Sequence, residues 1–266
     1  MTTLLTYRNG IELTACIDEF DDSIEDSIKK LRDAGFKSAS ILNINGINAS
    51  YLPDTTLERI KRLLGDLKVN VIRLDLGFGR EVNNKNIDRE LAIASYFKAK
   101  AIQIGIEKSS FKSEAQLLDY ASRISSNAIS MSLVPALEMT NTMYYATAGD
   151  LMTFLSAHKK FQLIYDPCRF MERMNTNPHD KWFSQVRPHV YAIISRDFKT
   201  GSGYYPLGQG QTSIIKAIDE YILDNGRYII FKPSLGRRFG STVGKSETCK
   251  LALEVFNKFF KEMSDA

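Results

Sequence analysis

Histidine and cysteine are scarce in this 266-residue chain, and the scarcity narrows the chemistry open to it. The three cysteines, Cys16, Cys168 and Cys249, are odd in number and far apart, with no CxxC pair among them, which suits a reducing cytoplasm. No apolar run approaches the length of a membrane span. The opening Met1 to Arg8 segment lacks the charged start and apolar stretch of a signal peptide, so neither insertion nor export is expected. No Pro/Ser-rich linker, charge block or low-complexity tract interrupts the chain, which predicts one domain over 1–266. A net charge of +4 is too dilute over this length to point to nucleic acid, and it tolerates an anionic substrate.

What is present is an alternation of short apolar, β-rich runs with segments of helical period, the pattern of a parallel sheet with crossover helices. Strands are expected at Ile11 to Ile17, Phe36 to Ile44, Val69 to Leu76, Ala101 to Ile106, Ser132 to Glu138, Phe161 to Asp166, Val190 to Asp197 and Tyr228 to Lys232. Helices are expected at Ser23 to Asp33, Thr55 to Leu67, Ile87 to Phe97, Ser113 to Ser126, Ala148 to His158, Thr212 to Leu223 and Ser246 to Lys261. The period of roughly thirty residues, repeated eight times, predicts a (β/α)8 TIM barrel. The long connection from Pro167 to Pro188, which holds Trp182, has no assigned element and suits a lid over the mouth or a subunit contact.

A parallel barrel brings the C-terminal ends of its strands to one rim. That rim is expected to carry Asp18 and Glu19 after strand one, Asn43 and Asn45 on strand two, Arg73 and Asp75 on strand three, and Gln103 on strand four. Glu138, Asp166, Arg169, Asp197 and Lys232 complete it. A carboxylate ending an apolar strand is costly to bury unless it has a partner or a task, which singles out Glu138 and Asp166. With Lys232 they form either a catalytic group or an internal salt-bridge network. Arg73 and Asp75 share strand parity and suit either substrate contact or a pair with each other. Cys16 and Cys168 read as small packing residues, since no histidine is expected beside them.

Five segments carry a family resemblance: Pro135-Ala136-Leu137-Glu138, Leu163-Ile164-Tyr165-Asp166, Ile193-Ile194-Ser195-Arg196-Asp197, Leu207-Gly208-Gln209-Gly210 and Tyr228-Ile229-Ile230-Phe231-Lys232. In order and spacing the chain resembles the xylose isomerase-like barrels, a superfamily of sugar isomerases, epimerases, dehydratases and a DNA-repair endonuclease, so function varies on the scaffold. The resemblance implies one divalent metal held by a Glu ending strand five, an Asp ending strand six, a His on strand seven and a Glu ending strand eight. Glu138 and Asp166 match; the strand-seven His falls on Ile194 and the strand-eight Glu on Lys232. A family His three residues after the strand-six Asp is Arg169. His158, His179 and His189 all sit away from strand C-terminal ends, so no metal cofactor is expected, and any weak Mn, Mg or Zn site is expected at Glu138 and Asp166.

The ammonium of Lys232 is expected where the family keeps its cation, neutralising Glu138 and Asp166. Lys232 then polarises a substrate carbonyl while Glu138 moves a proton at the next carbon, the work of an isomerase or epimerase. A Schiff base on Lys232, in a lyase or aldolase, and a non-catalytic carbohydrate binder are the alternatives. Arg73, Asp75, Gln103, Arg169 and Asp197 are the expected substrate contacts. The 236–246 loop carries Arg237, Arg238 and Lys245 into the last helix and suits a sugar phosphate, although the three residues between Gly240 and Gly244 exclude a P-loop. The Gly208-Gln209-Gly210 turn reads as structural. The expected partner is a small carbohydrate or sugar phosphate, with no nucleic acid, no membrane and, as in related barrels, a homo-oligomer.

Overall fold

The computed structural model describes residues 10–20, 23–44, 46–74, 84–106, 111–138, 145, 147–235 and 244–265. Eight strands form its centre: β1 (Glu12–Cys16), β2 (Ser38–Ile41), β3 (Lys68–Leu74), β4 (Ala101–Ile104), β5 (Val134–Glu138), β6 (Gln162–Tyr165), β7 (Val190–Ile194) and β8 (Tyr228–Phe231). Each pairs in parallel with its sequence neighbours, and β1 pairs with β8, so the sheet closes into a barrel. Outside lie α1 (Ile24–Asp33), α2 (Asp54–Leu64), α3 (Asn84–Tyr96), α4 (Glu114–Ser130), α5 (Ala148–Ala157), α6 (Pro167–Met174), α7 (Ile214–Leu223) and α8 (Lys245–Asp265). The expected (β/α)8 TIM barrel is what the chain forms.

Local chemistry sets the helix ends. Ser23 caps α1 by accepting from Asp26 N, with Glu25 and Asp26 in the first turn and Lys30 and Arg32 in the last, each charge on the side the helix dipole favours. Thr147 and Asp150 form a reciprocal capping box at α5. Asp166 caps α6, with Pro167 at the first helical position. The connection from Pro167 to Pro188 is thus the sixth crossover: α6, a turn of π-helix at His179–Phe183 and short turns leading to β7. His179 bonds Glu220 of α7 at 3.0 Å, and Arg187 bonds the same carboxylate at 2.7 Å, so the segment is fastened to the outer helical layer.

The period of two along each strand divides the apolar residues into two cores. One lies between strands and helices and is rich in aromatics; Phe20, Phe36, Phe231 and Phe256 pack there as a cluster with centroids 5.1–6.2 Å apart. The other fills the barrel itself: Cys16, Leu42, Val71, Ala101, Ala136, Ile164, Ala192, Ile194 and Ile230. Seven of the eight strands supply at least one of these plug residues and Leu42 follows directly on β2, as expected for a packed barrel rather than a pore. Immediately after β7, the expected long strand to Asp197 instead breaks. Asp197–Lys199 and Gly203–Tyr205 form a separate antiparallel hairpin over this end of the barrel.

Candidate active site

Two residues beyond the plug, the same inward parity carries Arg73 on β3, Gln103 on β4, Glu138 on β5, Asp166 after β6, Arg196 after β7 and Lys232 after β8. The mouth is therefore an arc of polar side chains from β3 round to β8 above an apolar floor, with the plug residues Cys16 of β1 and Leu42, just after β2, on the remaining side. Arg196 is the member that reasoning on strand-end carboxylates passes over.

Asp166 and Arg196 form a fork-to-fork ion pair. Arg196 Nε donates to Asp166 Oδ1 at 3.2 Å and Arg196 Nη2 donates to Asp166 Oδ2. Oδ1 also accepts Cys168 N at 3.1 Å, the α6 cap. Both side chains are sealed, at 1% exposure for Asp166 and 2% for Arg196. Burial by itself raises the Asp166 pKa, but Arg196 more than offsets this and holds the carboxyl below its usual range. The guanidinium is fixed from two further sides: Nη1 donates to Ser234 Oγ at 2.7 Å, and the Tyr204 ring of the hairpin covers it at 4.3 Å from the centroid.

Ser234 is in turn held by Glu19, whose Oε2 accepts Ser234 N at 2.8 Å and whose Oε1 accepts Ser234 Oγ at 3.0 Å. Ser234 adopts φ +52°, a left-handed conformation costly for a residue with a Cβ, and these bonds keep it there. Burial and the neighbouring Asp18 push the Glu19 pKa up, while Lys232 acts in the opposite direction. Cys16 Sγ donates to Asp18 at 2.7 Å, and burial raises its pKa far enough to keep it a thiol, in line with a packing role.

The expected neutralisation of Glu138 and Asp166 by Lys232 needs correction. Asp166 is answered by Arg196, and Glu138 accepts from Gln103 Nε2 and lies 3.8 Å from Arg73 Nη1. Lys232 is 9% exposed, and no hydrogen bond or ion pair joins it to the other described residues; its field reaches Glu19, Cys16 and Asp166. Arg73 pairs with Glu138, while Asp75 lies outside the described residues, as do Arg237 and Arg238. Lys245 opens α8. Gln103 Oε1 is buried without a partner among the described residues.

Two expected substrate contacts are engaged within the chain. Arg169 Nη1 donates to Glu172 at 2.9 Å on α6. Asp197 Oδ1 accepts from Phe198 N, Thr212 N and Thr212 Oγ1 at 2.8–3.0 Å, which ties the hairpin to the turn before α7. Gly210 explains the turn's glycine: a Cβ there would overlap the Asp197 carboxyl and come within 2.6 Å of Phe198 N. Gly208 sits at φ +74°, so the structural reading of the turn agrees with its geometry.

The divalent metal implied by the resemblance does not fit these donors. Asp166 has one oxygen shared by an amide and a guanidinium and the other bound to the same guanidinium, and Glu138 is held by Gln103. The weak site named at Glu138 and Asp166 is thus divided between two separate networks. Among the described residues, no three His, Cys, Asp or Glu side chains gather as ligands. No described helix is long and apolar enough to cross a membrane.

Neither a protein-family model nor a curated protein sequence matches the chain. Solved structures do. A probable 3-DHS dehydratase, AsbF, from Bacillus anthracis superposes with a TM-score of 0.66 at 16% identity, over 92% of this chain and 98% of that one. A xylose isomerase-like TIM barrel protein from Mycobacterium smegmatis, solved in complex with magnesium, gives 0.66 at 16% identity over 99% of both chains. A D-tagatose 3-epimerase-like protein gives 0.67 at 13% identity over 96% of this chain and 98% of that one. By closed topology and full-length superposition, the chain has the fold of the xylose isomerase-like TIM barrels.

Proposed function

We propose that this protein is an isomerase or epimerase of a small carbohydrate or related polyol or keto acid, moving a proton beside a carbonyl at the barrel mouth without a metal. The observation that carries the reading is Glu138, a buried carboxylate at the end of β5 whose two described partners, Gln103 and Arg73, orient it. A general base needs a fixed carboxylate within reach of substrate, and Glu138 has that support. Lys232, three strands round the ring just after β8, supplies the charge that stabilises an enolate-like oxygen as it develops. Arg73, with 28% of its side chain exposed, is the ring cation open to a substrate oxygen, and the unpartnered Gln103 Oε1 suits a substrate hydroxyl. A phosphate on the substrate would fall to Arg237, Arg238 and Lys245.

The similar proteins support the substrate class through their names, a dehydratase and an epimerase-like protein, both of which imply proton chemistry next to oxygenated carbon. The test is solvent exchange. Ketoses, aldoses and their phosphates are incubated with the protein in D2O and followed by proton NMR. Deuterium at the carbon next to the carbonyl, lost in Glu138→Gln and in Lys232→Met, is the expected result. Ligand-dependent thermal stabilisation without exchange for any compound would instead identify a carbohydrate-binding protein, the reading favoured by the engagement of Asp166 in its own salt bridge.

A further inference from the structure

We infer that Arg196 is an internal cation that occupies the β6–β7 quarter of the mouth in place of a divalent metal, and that Asp166 is the ligand of that guanidinium. The placement is set by the chain itself. Ser195 N and Oγ both bond Ile230 O, at 2.9 and 3.0 Å, extending β7 against β8, so residue 196 inherits the inward parity of Ala192 and Ile194. The hairpin begins at the next residue and folds back, bringing Tyr204 over the guanidinium face.

A planar fork matches both oxygens of a carboxylate, which a lysine ammonium in the same place cannot do. The remaining acceptor, Ser234 Oγ, is pinned by Glu19, so four loops from four strands converge on one guanidinium: those after β1, β6, β7 and β8. This convergence is what a structural cation does. It removes Asp166 from metal binding and from proton transfer alike, and leaves Glu138 as the ring's carboxylate outside the guanidinium's grip.

The inference shares the metal-free mouth with the proposed reaction, but its test reads metal and stability rather than turnover, so a failure of the exchange assay leaves it standing. The metal content of wild-type protein, Arg196→His and Arg196→Lys is measured as purified; the proteins are then dialysed against EDTA, and thermal unfolding is followed with and without about 1 mM MnCl2. Wild-type protein should hold no stoichiometric metal as purified, and Mn2+ should leave its Tm unchanged. Arg196→His frees Asp166 and adds an imidazole, so its Tm should fall in EDTA and recover by several degrees with Mn2+.

Arg196→Lys keeps the charge and loses the fork, so it should be destabilised yet indifferent to Mn2+. If Arg196→His precipitates, the other two proteins still decide. A metal near one per chain in wild type, Mn2+ stabilisation of wild type or of Arg196→Lys, or a folded Arg196→His that ignores Mn2+ overturns the inference.

Discussion

On the β6–β8 side of the mouth, opposite charges meet in full. Asp166 and Arg196 are joined by two bonds, Ser234 and Glu19 brace them, and the Tyr204 ring covers the guanidinium. On the β3–β5 side the same kinds of residue meet incompletely among the described residues: Arg73 stands 3.8 Å from Glu138 and partly in solvent, and Gln103 keeps an acceptor without a partner. A completed network fixes a fold and has nothing left for a ligand, whereas an incomplete one costs stability until something fills it. The proposed reaction draws on the β3–β5 side, where partners are incomplete, together with Lys232.

The largest effect that would sharpen this contrast is in Arg196→Met, which leaves Asp166 charged and alone in a sealed site; a loss of about 3–5 kcal/mol in urea unfolding is expected. Adding Asp166→Asn, which keeps the α6 cap but removes the charge, should recover most of it. A single-variant loss below about 1 kcal/mol would mean the pair is not buried, and the contrast would fail. Next comes Gly210→Ala, expected to cost about 1–3 kcal/mol because its Cβ displaces the Asp197 carboxyl from the hairpin, read by the same unfolding curves.

Smaller still in stability, Glu138→Gln and Arg73→Met should change it by less than about 1 kcal/mol while abolishing deuterium exchange. A large destabilisation there would make the open side structural too.

The smallest effect is in pH dependence. Asp166 has a folded pKa below its unfolded one, so its contribution is present above the unfolded value and lost as pH falls through the folded value. Glu19 has a raised folded pKa, so its contribution is full below the unfolded value and declines as pH rises through the folded one. Urea midpoints between about pH 3 and pH 7 should therefore show a shallower acid limb in Asp166→Asn/Arg196→Met and a flatter slope on the near-neutral side in Glu19→Gln.

The eight-fold alternation was legible because strand and helix periods differ and each barrel unit repeats both, from Ile11 to the last helix. The sixth crossover was not. Its eight-residue α6 is too short to show a period, and Asn175 to Pro178 separates it from the π-helical turn, although Asp166-Pro167 is a cap next to the proline that favours a first helical position. The placement of Glu138, Asp166, Gln103, Arg73 and Lys232 at the mouth is legible from strand-end position.

A search for strand-end carboxylates points to Asp197 and passes over Arg196, yet parity with Ile194 assigns the inward position to the arginine. Which charges pair with which is set by distances across the ring, and no one-dimensional pattern contains them.

Asp166 also begins a helix with the same oxygen that it offers to a guanidinium thirty residues later, just past β7. The start of α6 and the exit of β7 are consequently a single cooperative unit. An amide at the head of α6 should exchange with solvent only when β7 also lets go, so the sixth and seventh repeats of a nominally modular barrel should open and close together.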